Sequence, residues 1–579
     1  MTNKKSQKLS IFLMNKILPT FKNYLATDEV TSIPLKKDLS IKGEIFIGDT
    51  TSQVPSWINF LSQGASNPLP IGLVNSSNKA VLFYATSNKV FVITFGYGRS
   101  LINDEYIERN FGLKVVLNSV NPDKLKSVDL ANISNLMLQT RKQNSKGGSR
   151  QIFGLDIIND LMKSVTGTPN NRTLGGVLNG RDQVNLSPKI DFIDLKKIIN
   201  IIDQNYKSDT YKSEFEWIDN IHLEKDSSTI SQLNNLLVDG IKKSNANKIF
   251  FTIPEIIDWE LGHQFSYTAK GNLYNDLDIK DYFLKVGDGI DKLDIDKLKL
   301  HKIYVHIGDG DEFITKWSIY NCLNFEVTKN DQIYTLALGT WYKIKKTFSK
   351  EVLDYVREIP LYSESLIDHY LGDSEGEYNE RLADSNSNYS LMDKKNVYCN
   401  LTKSPIEPCD VFTRDKHFIH VKKKSSSSTL SHLFAQGKIS GEAFLSDRKF
   451  RIGTRRNLTK EGKLPLNLIP LNRKIKSSEY EIVYAFISNS NEDLISSLPF
   501  FSLLNLKQSF HSLSIMGYNI SISKINVVTN PDPIKAKAVK EKIEAKKKKR
   551  GKKKKITANQ VDSVQHSVNQ SSPIKVVPK

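Results

Sequence analysis

The sequence contains few cysteines and no long apolar run. Its 579 residues include three cysteines, Cys322, Cys399 and Cys409, which are too few for a disulfide scaffold or a multi-cysteine zinc module. No apolar run approaches the roughly 18 residues that a membrane-spanning helix requires. The apolar patch Ile11–Met14 is shorter than the core of a secretion signal, which needs about 7–15 apolar residues. We therefore expect a cytoplasmic protein that does not enter a membrane.

Acidic residues are the scarcer charged class. The chain holds 82 Lys and Arg against 63 Asp and Glu, a formal net charge of +19. Residues 531–579 alone hold 15 basic and 4 acidic residues. So dense a run of like charge repels itself, which predicts a disordered, Lys-rich tail. The tail is either a solvated or localisation-like patch or a sequence-independent clamp on nucleic-acid phosphates. The candidate contacts of such a clamp are Lys546, Lys547, Lys548, Lys549 and Arg550.

The rest of the chain has a globular composition, with 39% hydrophobic and 25% charged residues. At roughly 100–200 residues per domain, its length predicts two to four domains. A segment rich in Gly and Asn, residues 166–182, suggests one boundary. We predict a multidomain α+β protein with an N-terminal α+β domain at 1–170, a middle α+β domain at 171–361 and a C-terminal domain at 362–530, followed by the tail at 531–579.

Several elements can be predicted from local patterns. The β-prone runs Ala80–Ala85 and Val90–Phe95 flank a polar turn and predict a hairpin. In the middle region, Ile319–Val327 and Ile333–Leu338 are predicted strands around another turn. The C-terminal domain is expected to end in a strand–helix–strand unit, formed by Glu481–Ile487, Pro499–Leu513 and Tyr518–Ile525.

The most informative segment is a predicted hairpin, Cys409–Lys422. A three-residue loop at 414–416 sets a register in which Asp410 lies opposite His420. Because side chains alternate along a strand, Asp410, His420 and Lys422 share one face, while the residues between them form the core face. Directly opposed Cβ atoms are about 4.5–5.5 Å apart. We therefore expect Asp410 and His420 to share a divalent ion, with Lys422 beside them to hold an anionic group.

A serine run after this hairpin predicts the start of a helix. The run leads into Leu430, Leu433 and Phe434 at helical spacing, and Gly437 follows as a helix end. A helix N-terminus directly after a lysine-bearing strand can bind an anion, while a flexible linker is the alternative. The candidate phosphate contacts here are Lys423, Lys424, Ser425, Ser426 and Ser428.

This order of residues resembles the PD-(D/E)XK restriction-endonuclease-like nucleases. A helix carries an acid, a strand carries Asp, the next strand ends in x-x-Lys and a following helix carries Gln. The resemblance implies a C-terminal α/β core with a mixed sheet flanked by helices. It also implies that Glu380 is the helical acid, Asp410 the strand acid, Lys422 the lysine that steadies the attacking water or the phosphate, and Gln436 the helical glutamine.

The chain departs from this motif at one position. His420 stands where the motif has Glu or Gln, and imidazole is a softer ligand than Mg²⁺ prefers. Glu407, three residues before Asp410, is a candidate replacement carboxylate. The expected metal ligands are therefore Asp410, His420, Glu380 and Glu407, and the cofactor implied by the resemblance is Mg²⁺ or Mn²⁺.

A second basic patch follows the helix that carries Gln436. Five basic residues surround one aromatic ring, Phe450, in a pattern typical of a groove that tracks phosphates and stacks a base. A solvated surface is the alternative. The candidate contacts are Arg448, Lys449, Arg451, Arg455 and Arg456.

A wider resemblance extends to about residue 530. The phrases Phe95–Arg99, Phe111–Leu113, His420–Gly437 and Leu498–Phe501 are similar to those of a sporadically distributed bacterial family without assigned chemistry, whose members are often found near restriction or phage-defence genes. This occurrence fits a defence role but implies no reaction. Together with the PD-(D/E)XK resemblance, it leads us to expect a metal-dependent nuclease acting on nucleic acid, with DNA favoured over RNA, in genome defence. The alternative is a non-catalytic nucleic-acid sensor, or a subunit of a defence complex, with a degenerate nuclease core.

Overall fold

The computed structural model divides the chain into two compact units, Met1–Lys350 and Glu351–Lys579. No helix among the described residues is both long enough and apolar enough to cross a membrane. The expected Lys-rich clamp, Lys546–Arg550, lies outside the described residues. The structure describes residues 4–39, 41–54, 56–67, 72, 74–132, 138–148, 153, 155, 160–243, 249–257, 263–307, 313–400, 402–424, 427–471, 474–490 and 493–537.

The first unit begins with a ten-stranded antiparallel sheet. Its order is β2-β3-β4-β5-β1-β10-β9-β8-β6-β7. The strands are β1 Leu9–Leu13, β2 Val30–Pro34, β3 Lys42–Gln53, β4 Asn75–Ala85, β5 Val90–Gly96, β6 Val120–Asn132, β7 Leu138–Gly148, β8 Asp160–Pro169, β9 Leu178–Gly180 and β10 Val184–Leu186. Three helices accompany them, α1 Ser56–Gly64, α2 Phe111–Ser119 and α3 Leu195–Lys207.

The predicted hairpin in this sheet is confirmed. β4 and β5 pair antiparallel from Ala85↔Val90 onward, and the Thr86 amide donates a hydrogen bond to the Lys89 carbonyl at 2.8 Å to close the turn. Residues beyond 170 also contribute to the sheet, because β10 pairs with β1 and β9 pairs with β8. A single core cluster of buried side chains joins the sheet to α2 and α3.

The remainder of the first unit forms two smaller antiparallel sheets, β11-β18-β17-β16-β12 and β13-β14-β15. The strands are β11 Ile221–Leu223, β12 Ile249–Phe251, β13 His263–Ser266, β14 Lys302–Ile307, β15 Phe313–Ser318, β16 Leu323–Lys329, β17 Gln332–Ala337 and β18 Thr340–Ile344. The helices are α4 Lys212–Phe215, α5 Ser227–Lys242, α6 Ile279–Val286, α7 Ile295–Leu300, α8 Ile319–Cys322 and α9 Lys346–Arg357, the last of which runs across the division at Lys350.

Two strand predictions in this region have different outcomes. β17 confirms the predicted strand Ile333–Leu338 to within one residue at either end. The expected strand Ile319–Val327 is wrong over its first four residues, which form α8. Ser318 causes the difference, since its hydroxyl accepts a hydrogen bond from the Asn321 amide at 3.1 Å and caps a helical turn.

The second unit contains a six-stranded mixed sheet in the order β19-β26-β25-β24-β23-β20 and a separate pair, β21-β22. The strands are β19 His369–Tyr370, β20 Tyr389–Leu391, β21 Val397–Cys399, β22 Ser404–Ile406, β23 Val411–Thr413, β24 His417–Lys423, β25 Glu481–Ser488 and β26 Asn519–Val528. The helices are α10 Glu375–Asp384, α11 Ser427–Ser446, α12 Arg448–Glu461 and α13 Phe500–Ile515. The expected terminal strand–helix–strand unit is confirmed as β25, α13 and β26.

Both faces of β24 are buried. β24 pairs antiparallel with β23 and parallel with β25, so α11 must cross over one face of the sheet. On that face Phe418 packs against Phe412 and Phe444, with ring centroids 4.9 and 5.0 Å away. On the other face Ile419 and Val421 belong to a core cluster that includes Tyr378 and Leu382 of α10. Consequently, side chains of β24 can reach an open site only near the end of the strand.

Candidate metal centre

Three carboxylates meet beside the start of β23. Asp393, Glu407 and Asp410 each offer an oxygen, and these oxygens lie within 4.8 Å of one another. Asp393 follows β20, Glu407 follows β22 and Asp410 precedes β23. The backbone amides of Met392 and Asp393 both donate to the Asp410 carbonyl, at 2.8 and 2.9 Å. The pairing of β20 with β23 thus brings together two acids that are distant in the sequence.

Asp410 is held in one orientation by two donors. Its Oδ2 accepts a hydrogen bond from the Val421 amide at 2.7 Å, and its Oδ1 accepts one from Asn379 Nδ2 at 3.1 Å. Burial raises the pKa of Asp410 well above its usual range; the Val421 amide opposes this effect, and the charges of Glu407 and Asp393 add to it. Asp410 is therefore fixed in position, and its surroundings favour the protonated form although the charge of Lys422 opposes this effect.

The pKa of Glu407 is raised for reasons similar to those at Asp410. Burial raises its pKa, the hydrogen bond from the Lys394 amide lowers it, and the Asp393 charge raises it again. Its Oε2 also lies 3.5 Å from Gln436 Nε2 of α11. Glu407 and Gln436, both predicted from the sequence, are thus brought to the same group as Asp410.

Lys422 reaches this region from the end of β24. Its Nζ donates to Oε2 of Glu375 at 2.8 Å, and the other oxygen of Glu375 accepts from the Lys423 amide at 3.0 Å. Partial burial lowers the pKa of Lys422, but the hydrogen bond and the charge of Glu375, together with the charges of Asp410 and Glu407, raise it overall. Lys422 is therefore a firmly protonated cation beside the carboxylates.

His420 does not join the carboxylates, although the predicted register is confirmed by the pairs Val411↔Ile419 and Phe412↔Phe418. The imidazole is 2% exposed. Its Nε2 lies 3.4 Å from Ser440 Oγ of α11, and its ring centroid is 6.2 Å from that of Tyr484. Burial lowers the pKa of His420 to about 3, so the ring is neutral at physiological pH. Among the described residues, the candidate metal ligands are therefore carboxylates without an imidazole.

Glu380 is exposed on α10 and is also outside the group. Adjacent residues of an α-helix point about 100° apart. The preceding residue, Asn379, therefore faces Asp410 while Glu380 faces solvent. Glu375, at the start of the same helix, is the acid that contacts Lys422. Ser374 fixes this start, because its hydroxyl accepts from the Glu377 amide at 3.2 Å while Glu377 accepts from the Ser374 amide at 2.7 Å.

Comparison with known proteins gives one finding for the whole chain. A family of unknown function, DUF6119, matches residues 9–526. The chain belongs to the DUF6119 family. No curated protein and no solved structure matches this DUF6119 chain. None of these comparisons assigns a chemistry to the candidate metal centre.

The expected basic groove of this DUF6119 member lies on α12 and is only partly exposed. Arg448, Lys449 and Arg456 are exposed and Arg455 is half-buried. Arg451, in contrast, is 8% exposed and donates from Nη1 to the carbonyls of Phe444 and Leu445, at 2.8 and 3.1 Å. The expectation of an exposed stacking ring is wrong, because Phe450 is fully buried. The opposite face of this amphipathic helix packs into the core, and Phe450 and Arg451 both lie on that face.

The serine-led helix start is only partly described. α11 begins at Ser427, and the side chain of Ser428 is outside the described part, as are Ser425 and Ser426 altogether. Lys423 is half-buried and its ammonium donates to the Asp373 carbonyl. The Lys424 amide donates to the Ile487 carbonyl at 2.9 Å.

Three residues of the centre were missed from the sequence. Glu375 follows Ser374 in a capping-box pattern, which signals a helix start and could have placed Glu375 at that end. Asn379 could have been found from the same helix by its spacing. Asp393 gives no local signal, because its position depends on the pairing of β20 with β23.

Proposed function

We propose that the second unit is a metal-dependent nuclease that cleaves phosphodiester bonds in DNA or RNA, with a role in bacterial genome defence. The observation that carries the proposal is the group Asp393, Glu407 and Asp410 beside the ammonium of Lys422. Carboxylate oxygens are the ligands that Mg²⁺ and Mn²⁺ prefer. The donor set thus fits these ions better than the set with His420 that the predicted hairpin register suggested.

The electrostatics of the group support a cation at this position. Both Glu407 and Asp410 have raised pKa values, partly because each carboxylate lies near other negative charges. A divalent ion would remove this repulsion and favour the ionised forms. Because the donors from Val421 and Asn379 hold Asp410 in place, its carboxylate would need no reorientation to bind the ion.

The order of elements is a second support. α10 precedes the antiparallel strands β20, β23 and β24, and α11 then leads to β25, which is parallel to β24. Lys422 on β24 and Gln436 on α11 support the proposal, because the PD-(D/E)XK resemblance expects a lysine on the second strand and a glutamine on the helix that follows. Glu407 and Asp393 supply carboxylates from the segments beside β23, in place of the acid that the motif carries on β24.

The residues have distinct roles in the proposed reaction. Asp393, Glu407 and Asp410 would hold the ion, which when bound lowers the pKa of a water and withdraws charge from the phosphate. Lys422 would stabilise the negative charge that develops on the phosphate in the transition state. Glu375 is a positioning residue, since it binds the ammonium of Lys422 and the amide of the next residue at once.

A non-catalytic nucleic-acid-binding function is the second candidate. The ion pair of Lys422 with Glu375 favours it, because this ammonium is already engaged. Exposed cations on α12, such as Lys449 and Arg456, would then contact phosphates without cleavage.

Cleavage assays with the full chain separate the two functions. Plasmid, linear DNA and RNA are incubated with Mg²⁺, Mn²⁺ or EDTA, using wild type, Asp410→Asn, Lys422→Met and the control Glu380→Gln. We expect metal-dependent cleavage by wild type and by the control, and a loss of at least 100-fold in the two site variants with nucleic-acid binding retained. Retention of nucleic acid without cleavage under any metal condition would support the binding function. Equal cleavage by all four proteins would exclude the site.

A further inference from the structure

A cavity in the first unit lies among α6, α7 and the beginning of β14. Its volume is about 540 Å³, within the range of roughly 300–1,000 Å³ that is typical of small-molecule sites. The segment after β13 forms one wall, and α6 with the turn that follows it forms another. All lining residues fall between Tyr267 and Tyr304. The cavity shares no residue with the candidate metal centre.

The charge lining this cavity is positive. Four lysines line it, Lys285, Lys292, Lys297 and Lys302, and no lining residue carries a carboxylate. Lys297 is partly neutralised by Asp294 at 3.2 Å. Lys285 and Lys292 are exposed, and neither forms an ion pair with any residue that the structure describes. Burial lowers the pKa of Lys302, and the charge of Lys316 lowers it further. An anion in the cavity would relieve this crowding of positive charge.

Aromatic and apolar groups form the rest of the lining. Tyr267 and Tyr282 are buried, while Tyr304 and His301 are half-buried. The Tyr282 hydroxyl is 2.9 Å from His301 Nδ1, which fixes the imidazole ring. Leu300 lines the same cavity with 72% of its surface exposed. Rings and an exposed leucine suit a planar, partly apolar body rather than a simple inorganic ion.

We propose that this cavity binds a nucleotide. Lys285, Lys292 and Lys302 provide the ammonium groups for its phosphates, and His301, Tyr304 and Leu300 provide the surface for its base or sugar. Phosphate next to a planar ring is the ligand chemistry that matches both halves of the lining. The site goes beyond the nuclease proposal, and neither depends on the other.

Calorimetry on the full chain in EDTA tests the proposal. The probes are AMP, ATP, inorganic pyrophosphate and a five-nucleotide single-stranded DNA. Lys285→Ala/Lys292→Ala removes two exposed ammonium groups from the cavity, and Lys270→Ala/Lys280→Ala is the charge-matched control outside it. Since each partly exposed contact is worth about three- to fivefold in affinity, we expect the first pair to weaken ATP binding about tenfold and the control to leave it unchanged.

A second variant tests the apolar half. Leu300→Ala should weaken AMP and ATP binding and leave pyrophosphate binding unchanged, because only the nucleotides carry a base. Thermal unfolding in the absence of ligand should show that each variant is folded, as expected for exposed side chains. No binding of AMP or ATP, equal binding by both lysine double variants, or pyrophosphate binding as tight as ATP would overturn the proposal. Tighter binding of the single strand than of ATP would also overturn it, by assigning the cavity to a strand.

Discussion

Repulsion among the carboxylates of Asp393, Glu407 and Asp410 should lower the free energy of unfolding of the metal-free protein. Two unit charges no more than 4.8 Å apart repel each other by at least about 3.5 kcal/mol at an effective dielectric constant of about 20. Raised pKa values at Glu407 and Asp410 show that protonation relieves part of this repulsion. Replacing Glu407 with Gln removes one charge while keeping the size of the side chain. We therefore expect Glu407→Gln to stabilise the second unit by about 1–3 kcal/mol at neutral pH without metal.

Calorimetric unfolding measures this effect directly. For a unit of this size, 1 kcal/mol corresponds to about 2–4 °C in Tm, so Glu407→Gln should raise Tm by several degrees in EDTA. Mn²⁺ at 100 times its Kd should stabilise wild type by about 2.7 kcal/mol and the variant by much less. Glu380→Gln removes the same charge from an exposed position on α10 and should change neither value.

The sign of the pH dependence provides a further check. A carboxylate with a raised folded-state pKa binds more protons when folded, so the stability of the metal-free protein falls as pH rises from the unfolded pKa to the folded one. Metal affinity should increase over the same range, because the ion binds the ionised carboxylates. The reasoning is refuted if Glu407→Gln destabilises the protein in EDTA and responds to Mn²⁺ as wild type does.

Three further predictions concern neighbouring residues. His420 has a folded pKa of about 3 and an unfolded pKa of about 6.5, so acid favours the unfolded state below pH 6.5. Between pH 7 and 5, His420→Gln should therefore lose about 2 kcal/mol less stability than wild type in urea titrations. Parallel pH profiles of the two proteins would contradict this. Arg451→Lys should destabilise the protein by about 1–3 kcal/mol in the same assay, because an ammonium does not reproduce the two carbonyl contacts of the guanidinium; unchanged stability would show that those contacts are unimportant. Gly437→Ala should cost about 1–3 kcal/mol, since a Cβ there would lie 2.5 Å from the Tyr484 hydroxyl; a wild-type urea midpoint would show that the ring can move.

The sequence was most informative where structure is local. The hairpin β4–β5 was predicted, and β23–β24 was predicted in the observed register, because alternating side chains and short turns determine such pairings. β25, α13 and β26 were also predicted, since each is a continuous segment rich in apolar residues. The ten-stranded sheet was not predicted, since its order depends on pairings such as β1 with β10, which are far apart in the chain.

The candidate site shows the same limit. Asp410, Lys422, Glu407 and Gln436 were found because hairpin geometry and the motif order place them close together. His420 was assigned to the group from alternation alone, which identifies the face of a strand but not the helix that covers it. Asp393 could not be found, because strand pairing rather than sequence spacing brings it to Asp410.

The burial of β24 on both faces has an evolutionary consequence. A substitution in the middle of this strand must fit α10 on one side or α11 on the other, so few replacements should be tolerated there. In the segments that leave β20 and β22, Asp393 and Glu407 are needed for the candidate metal centre, so divergence there is open mainly to the neighbouring residues. Changes that alter the candidate site should therefore arise mainly at those neighbours, while the strand itself changes slowly.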